Sequence, residues 1–151
     1  MKWVRQDAKR YLEAKEFIDT AVIPLIPLDI SHEDGISKTA LYQETTQIFT
    51  SELEKELAGR VMLFPAYVYL PNEETDSVRL QRWVDSAQEN GFKHVFLTTF
   101  DSSWRKHAKN MSGELVWLPC PTEMDMETEE FGQSAKGLAR EVIRLMREVW
   151  N

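Results

Sequence analysis

The sequence predicts an α/β fold. It should be a three-layer sandwich, with a four-stranded, mostly parallel sheet carrying helices on both faces. Three observations lead there. Short apolar bursts recur along the chain, at Ala21–Leu25, Val61–Phe64, Val95–Leu97 and Leu115–Leu118. Three of them run into a proline, at Pro24, Pro65 and Pro119, as strands do where a missing N–H no longer interrupts a ladder. Between the bursts lie longer segments with apolar residues at steps of three, four and seven, the spacing of a helix with one buried face. Helices between consecutive strands imply parallel pairing through right-handed crossovers. The expected strand order is 2-1-3-4.

The elements follow in turn. Val4, Ala8, Tyr11 and Leu12 fall at helical spacing, which predicts a short helix over 6–15. Strand one spans 20–25, with weakened pairing or a bulge expected at Pro24. Residues 29–35 (Asp-Ile-Ser-His-Glu-Asp-Gly) have the composition of a loop. A long helix over 37–58 presents Leu41, Ile48, Phe49, Leu53 and Leu57, with Gly59 placed to stop it. Strand two runs over 61–69 and is interrupted or bulged at Pro65. Residues 71–74 form a loop, and Thr75 or Asp76 caps a helix whose inner face is Leu80, Trp83, Val84 and Ala87. Strand three covers 93–99, a short helix holds Trp104 and His107, and strand four covers 114–118. The acidic run 123–130 is a connector. The last helix spans 128–149, with a stripe of Phe131, Ala135, Leu138, Val142, Met146 and Val149. Strands one and three are apolar at every central position, as interior strands covered on both faces should be.

Composition sets bounds on function. The chain has 151 residues, 42% hydrophobic and 28% charged, which suits one packed domain spanning residues 1–151. Its net charge of −7 argues against nucleic acid or an anionic membrane as the main partner. The single cysteine, Cys120, cannot form a disulfide within the chain and points to a reducing compartment. The opening residues lack an apolar signal region, and no uncharged apolar run approaches the ~18 residues of a membrane span. These features describe a soluble cytoplasmic protein with no membrane insertion.

The stretch Ala14-Lys15-Glu16-Phe17-Ile18-Asp19-Thr20-Ala21-Val22-Ile23-Pro24-Leu25-Ile26-Pro27, after an opening Met1-Lys2-Trp3, resembles the YpiF-like family of uncharacterised small cytoplasmic proteins from Bacillus-type bacteria. The likeness covers essentially the whole chain. It implies no reaction, cofactor or functional residue that could be carried over. A fainter likeness to the strand–helix–strand domains of TolB-type and curli-secretion-type proteins rests on an apolar strand ending in proline. Those domains are periplasmic, and this chain shows no export signal.

In an open parallel sheet, ligands bind beyond the carboxyl ends of the strands where strand order reverses. Here that point falls between strands one and three. The candidate ligand-binding residues are Asp29, His32, Glu33 and Asp34 after strand one, and Thr99, Asp101 and Ser102 after strand three. Carboxylates with an imidazole could do acid–base work. The same residues are ordinary solvated loop residues, and Asp101 or Ser102 is most simply a helix cap. The sequence has no HExxH, no GxGxxG and no GxxxxGK[ST], so no metal site and no cofactor is expected. The acidic residues after Cys120 would raise a thiol pKa, which favours an inert side chain. Trp83, Trp117 and Trp150 sit at core-compatible spacing, whereas Trp3 and Trp104 lie near element ends and could form an exposed patch. The reading that follows is a non-catalytic protein acting through contacts with another protein or a second copy of itself. The alternative is a small-molecule-binding protein or hydrolase with its site at the strand carboxyl ends.

Overall fold

A computed structural model describes residues 1–71, 76–120 and 130–151, with side chains from residue 134 onward in the last stretch. The expected cap at Thr75, the loop over 72–74, the acidic connector over 123–129 and the side chain of Phe131 lie outside the described residues.

The elements alternate as the sequence predicts: α1 (Arg5–Glu13), β1 (Thr20–Pro27), α2 (Glu33–Glu56), β2 (Val61–Leu63), β3 (Tyr67–Tyr69), α3 (Asp76–Glu89) and β4 (His94–Thr99). A 3₁₀ helix (Ser102–Asn110), β5 (Glu114–Trp117) and α4 (Glu130–Trp150) complete the order. The sheet runs β2-β1-β4-β5, with β3 also pairing β1, and every pairing is parallel. The predicted strand two is split by Phe64-Pro65-Ala66 into β2 and β3, both on the same side of β1. Counting that pair as one strand gives the expected 2-1-3-4 order.

β1 runs past its expected end at Leu25, and its register with β4 is unbroken at Pro24, where a bulge was expected. It continues to Pro27 and is buried throughout. The direction of its backbone groups explains why two prolines are tolerated. The Thr20 N–H donates to the Arg60 carbonyl, and the Val22 carbonyl accepts from the Phe64 N–H. Residues with even numbers therefore face β2, and by alternation the nitrogen of Pro24 faces the gap between β2 and β3. The nitrogen of Pro27 faces the other side, beyond the Leu25–Thr99 pair where β4 ends. Each missing donor falls beyond the paired residues of the neighbouring strand.

Alternation along the strands builds two cores. Ile23, Leu25, Val95 and Leu97 face α3 and the 3₁₀ helix, where Leu80, Val84 and Trp104 cover them. Val22, Val61, Phe96 and Val116 face the opposite way, beneath Phe49 and Leu53 of α2 and Val142, Ile143 and Met146 of α4. The inner face of α2 is also rich in buried threonine. Thr39 and Thr50 donate to the carbonyls of Gly35 and Thr46 one turn back, which satisfies hydroxyls that burial would otherwise leave unpaired.

α4 is latched to the amino-terminal end of the sheet. The Trp150 indole N–H donates to the Thr20 hydroxyl at 2.9 Å, and the Arg60 guanidinium lies 4.0 Å over the Trp150 ring. Arg60 also forks onto both oxygens of Asp19. Partial burial raises the Asp19 carboxyl, but hydrogen bonds from Arg60 and Thr20 and the Arg60 charge outweigh it and hold the group below its usual range.

Among the tryptophans, Trp104, which could have joined an exposed patch, is buried, whereas Trp83 and Trp117 are 37% and 40% exposed rather than in the core. Leu80, Val84 and Ala87 already fill the inward face of α3, which leaves Trp83 at its margin. Trp117 ends an edge strand and is covered by the Arg105 guanidinium at 4.8 Å.

Candidate functional site

The first turn of α2 decides how the residues after β1 are arranged. The helix begins at Glu33, four residues earlier than the predicted Ser37, because His32 caps it. The His32 Nδ1 accepts from the Gly35 N–H at 2.9 Å, and Nε2 stands 3.4 Å from Asp29 Oδ2. A neutral imidazole with its proton on Nε2 meets both partners. Glu33 and Asp34 are thus helical residues rather than loop residues, and their charges suit the positive end of the helix dipole.

Asp29 is held in turn. Its Oδ1 accepts from the Ser31 N–H and hydroxyl, at 3.0 and 2.6 Å. These bonds, the Ser31 hydroxyl first, with the nearby His32 as a smaller influence, hold the carboxyl below its usual range. Its carboxylate also lies against Gly35. A Cβ added there would sit 2.5 Å from Asp29 Cγ and Oδ2. Glycine is required at this position for close approach rather than for backbone conformation.

On the β4 side, Thr99 is buried and structural. Its hydroxyl accepts from the Asp101 N–H at 2.9 Å and reaches the Leu25 carbonyl at 3.5 Å. Asp101 caps the 3₁₀ helix through the Ser103 N–H, as the sequence suggests, while Ser102 is exposed. Asp101 Oδ2 also accepts from the Tyr69 hydroxyl at 2.5 Å, and that hydroxyl accepts from the Trp104 indole N–H at 2.7 Å. Burial pushes the Tyr69 phenol well above its usual range, and the hydrogen bond and charge of Asp101 act the same way. The Tyr69 hydroxyl is the donor in its bond to Asp101.

Asp29, His32, Asp34 and Asp101 line one cleft of ≈ 380 Å³ at the carboxyl ends of β1 and β4, together with Lys38 and Tyr42 of α2. A smaller cleft of ≈ 190 Å³ adjoins it and shares Pro71 and Asp101. Glu33, Thr99 and Ser102 line neither. Lys38, Tyr42, Tyr69 and Trp104 escape a reading of the sequence that looks only at loops. The signal was there in Asp34, Lys38 and Tyr42, spaced by four and so on one face of a helix. Among the described residues, no group of three or more His, Cys, Asp or Glu is placed to hold a metal ion. Cys120 is half-buried, and burial raises its thiol pKa.

Comparison with known proteins adds a family. The model of the family described as "Protein of unknown function (DUF2487)" matches residues 9–150. The chain belongs to that family. It is also 41% identical, over 118 residues, to the "Uncharacterized protein YpiF" of Bacillus subtilis (strain 168), across 77% of this chain and 75% of that protein. The YpiF-like resemblance seen in the opening residues therefore holds over most of the chain. No solved structure matches. No described helix is long and apolar enough to cross a membrane.

Proposed function

We propose that this DUF2487 protein acts through contact with another polypeptide at the open edge of its sheet. One observation carries the reading. Leu28, Ile30, Ile36, Val68 and Leu70 are 47%, 72%, 50%, 55% and 49% exposed, and they surround β3. Several of them line a shallow apolar groove of ≈ 280 Å³ between the end of β1, the first turns of α2 and Val68. Contiguous exposed apolar surface of this kind characterises interaction sites.

The backbone favours the same edge. The amino-terminal segment covers the outer edge of β2 through a Lys2–Leu63 bridge. β3 pairs with β1 along its inner side. The Tyr69 carbonyl accepts from the Leu28 N–H, so by alternation the N–H and carbonyl of Val68 point outward. An extended segment could add there as a further strand. The net charge of −7 supports a polypeptide partner over nucleic acid, and the lone half-buried thiol supports a cytoplasmic setting. A photo-crosslinking residue placed at Val68 in the full chain, in its native cell, should capture a discrete adduct, either a partner or a second copy. The same residue placed at Glu141, on the exposed face of α4, should not. An adduct pattern identical at both positions, or none at Val68, would discard the proposal.

The cleft between β1 and β4 supports a second reading, a small polar ligand held by Asp34, Lys38 and Asp101. Its volume falls in the range of small-molecule sites, and it lies at the switch point of the sheet. A thermal-shift screen of sugars, amino acids and nucleotides tests it. A ligand at 100 times its dissociation constant stabilises by about 2.7 kcal/mol. A ligand of this cleft should lose that effect in Gly35→Ala, whose new methyl displaces Asp29. A screen without any hit, or hits indifferent to Gly35→Ala, would remove this reading.

A further inference from the structure

The face of the sheet under α3 holds another concavity, remote in character from both sites above. It measures ≈ 390 Å³ and lies between Trp3, Phe64, Phe92 and the outer side of α3. Its floor is fixed aromatic packing. Phe64 meets Phe92 edge to face at 5.1 Å, and Tyr11 stacks on Phe92 at 5.4 Å. Trp3 leans on Phe64 at 4.9 Å, and Trp83 meets Tyr67 edge-on at 5.3 Å. The two indoles are therefore positioned by their neighbours yet keep 55% and 37% of their surface exposed. Trp83 is on the margin of α3 where a core role was expected of it. Exposed indoles beside a preformed hollow are what a site for a flat ring requires, because they lose little conformational entropy on binding.

The charge around the hollow narrows the ligand. The chain carries −7, yet among the described residues no carboxylate lines this cleft. Its single charged lining residue is Arg82, and among the described residues that guanidinium has no hydrogen bond or ion pair. A planar, charged fork left uncommitted beside aromatic walls matches a carboxylate or similar oxyanion. A cationic ligand would meet Arg82 as a like charge. A neutral apolar ligand would leave its charge unused.

We propose that this cleft binds a small aromatic anion, with its ring between Trp3 and Trp83 and its charged group on Arg82. The test uses the full chain and its indole N–H resonances, with 2-naphthoate as the probe and 2-naphthamide and cyclohexanecarboxylate as controls. The expected result is saturable movement of the Trp3 and Trp83 resonances on adding 2-naphthoate. The midpoint should rise about tenfold with 2-naphthamide and about tenfold in Arg82→Gln, the loss of one charge-assisted contact at a partly exposed site. Cyclohexanecarboxylate should bind more weakly than 2-naphthoate because it cannot stack. Arg82 is exposed and, among the described residues, without an ion pair, so Arg82→Gln should melt as the parent does, and a matching thermal curve separates lost binding from lost folding. Movement at other indoles only, no saturable movement, or equal midpoints in parent and Arg82→Gln would overturn the assignment. Broadening that follows protein concentration rather than probe would instead show the indoles meeting a second copy, and would overturn it too.

Discussion

A chain ending at residue 134 should not fold. α4 places Val142, Ile143 and Met146 in the core at 0%, 5% and 0% exposure, with Ala139 in the same cluster and Ala135 buried as well. Each large side chain contributes ~1.5–3 kcal/mol when fully buried. Three of them alone approach the ~5–15 kcal/mol that stabilises an ordinary domain. The loss goes further, because removing α4 bares Phe49, Leu53 and Phe96 on the surface it covers. It also removes the Trp150 indole that Thr20 and Arg60 hold. Circular dichroism on heating should show no cooperative transition in the truncated chain, and the product should be insoluble or bind a hydrophobic dye. The point variant Met146→Ala should fold and lose ~2–5 kcal/mol. A sharp transition in the truncated chain would show that α2 and the sheet are stable without this cover.

The same helix shows how far the sequence could be read. Its apolar stripe marked Ala135, Val142 and Met146 correctly, because steps of four and seven are the geometry of a helix and need no tertiary information. It misplaced Val149, which is 40% exposed, and missed Ile143, which lies one position off the stripe. Which side of a stripe meets a neighbour is set by the angle at which helices pack, and spacing alone does not contain it. The strand order matches the expected 2-1-3-4, but spacing did not dictate it, since three crossovers of fixed hand still leave more than one order. The continuation of β1 from Leu25 to Pro27 was not legible, because Pro27 is harmless only where β4 has already ended, beyond the Leu25–Thr99 pair.

The candidate site divides along the same line. Asp29, His32, Asp34 and Asp101, singled out by composition and by their place after strands, line one cleft. Glu33, Thr99 and Ser102 share that composition but point elsewhere or serve the backbone. His32 as a cap was hidden, since histidine is not among the favoured capping residues and its role depends on Asp29 holding Nε2. Tyr69 and Trp104 were hidden more deeply. They lie 35 residues apart in the chain and meet only because β3 and the 3₁₀ helix converge on Asp101.

That convergence yields the second large effect. Trp104→Ala should destabilise the protein by ~3–5 kcal/mol, the range for deleting a buried aromatic ring. The indole is 3% exposed and meets Tyr69 edge to face at 5.2 Å, with Tyr67 and His107 beyond. For a domain of this size, that loss lowers the melting temperature by roughly 10 °C. Part of it is packing and part is the hydrogen bond to Tyr69, and two milder variants divide them. Trp104→Phe keeps a ring but removes the donor, leaving the Tyr69 hydroxyl with Asp101 alone, and should cost ~0.5–1.5 kcal/mol beyond the smaller ring. Tyr69→Phe removes both the acceptor for the buried indole N–H and the donor to Asp101, and should cost ~1–3 kcal/mol. If the three groups act as one network, the double variant should cost less than the sum of the singles, because the second substitution removes a partner already lost. Urea unfolding of all four chains measures this. Strict additivity would mean that Trp104 supports the cleft by filling space, and that Asp101 is oriented by its Ser103 cap rather than through the Tyr69 hydroxyl.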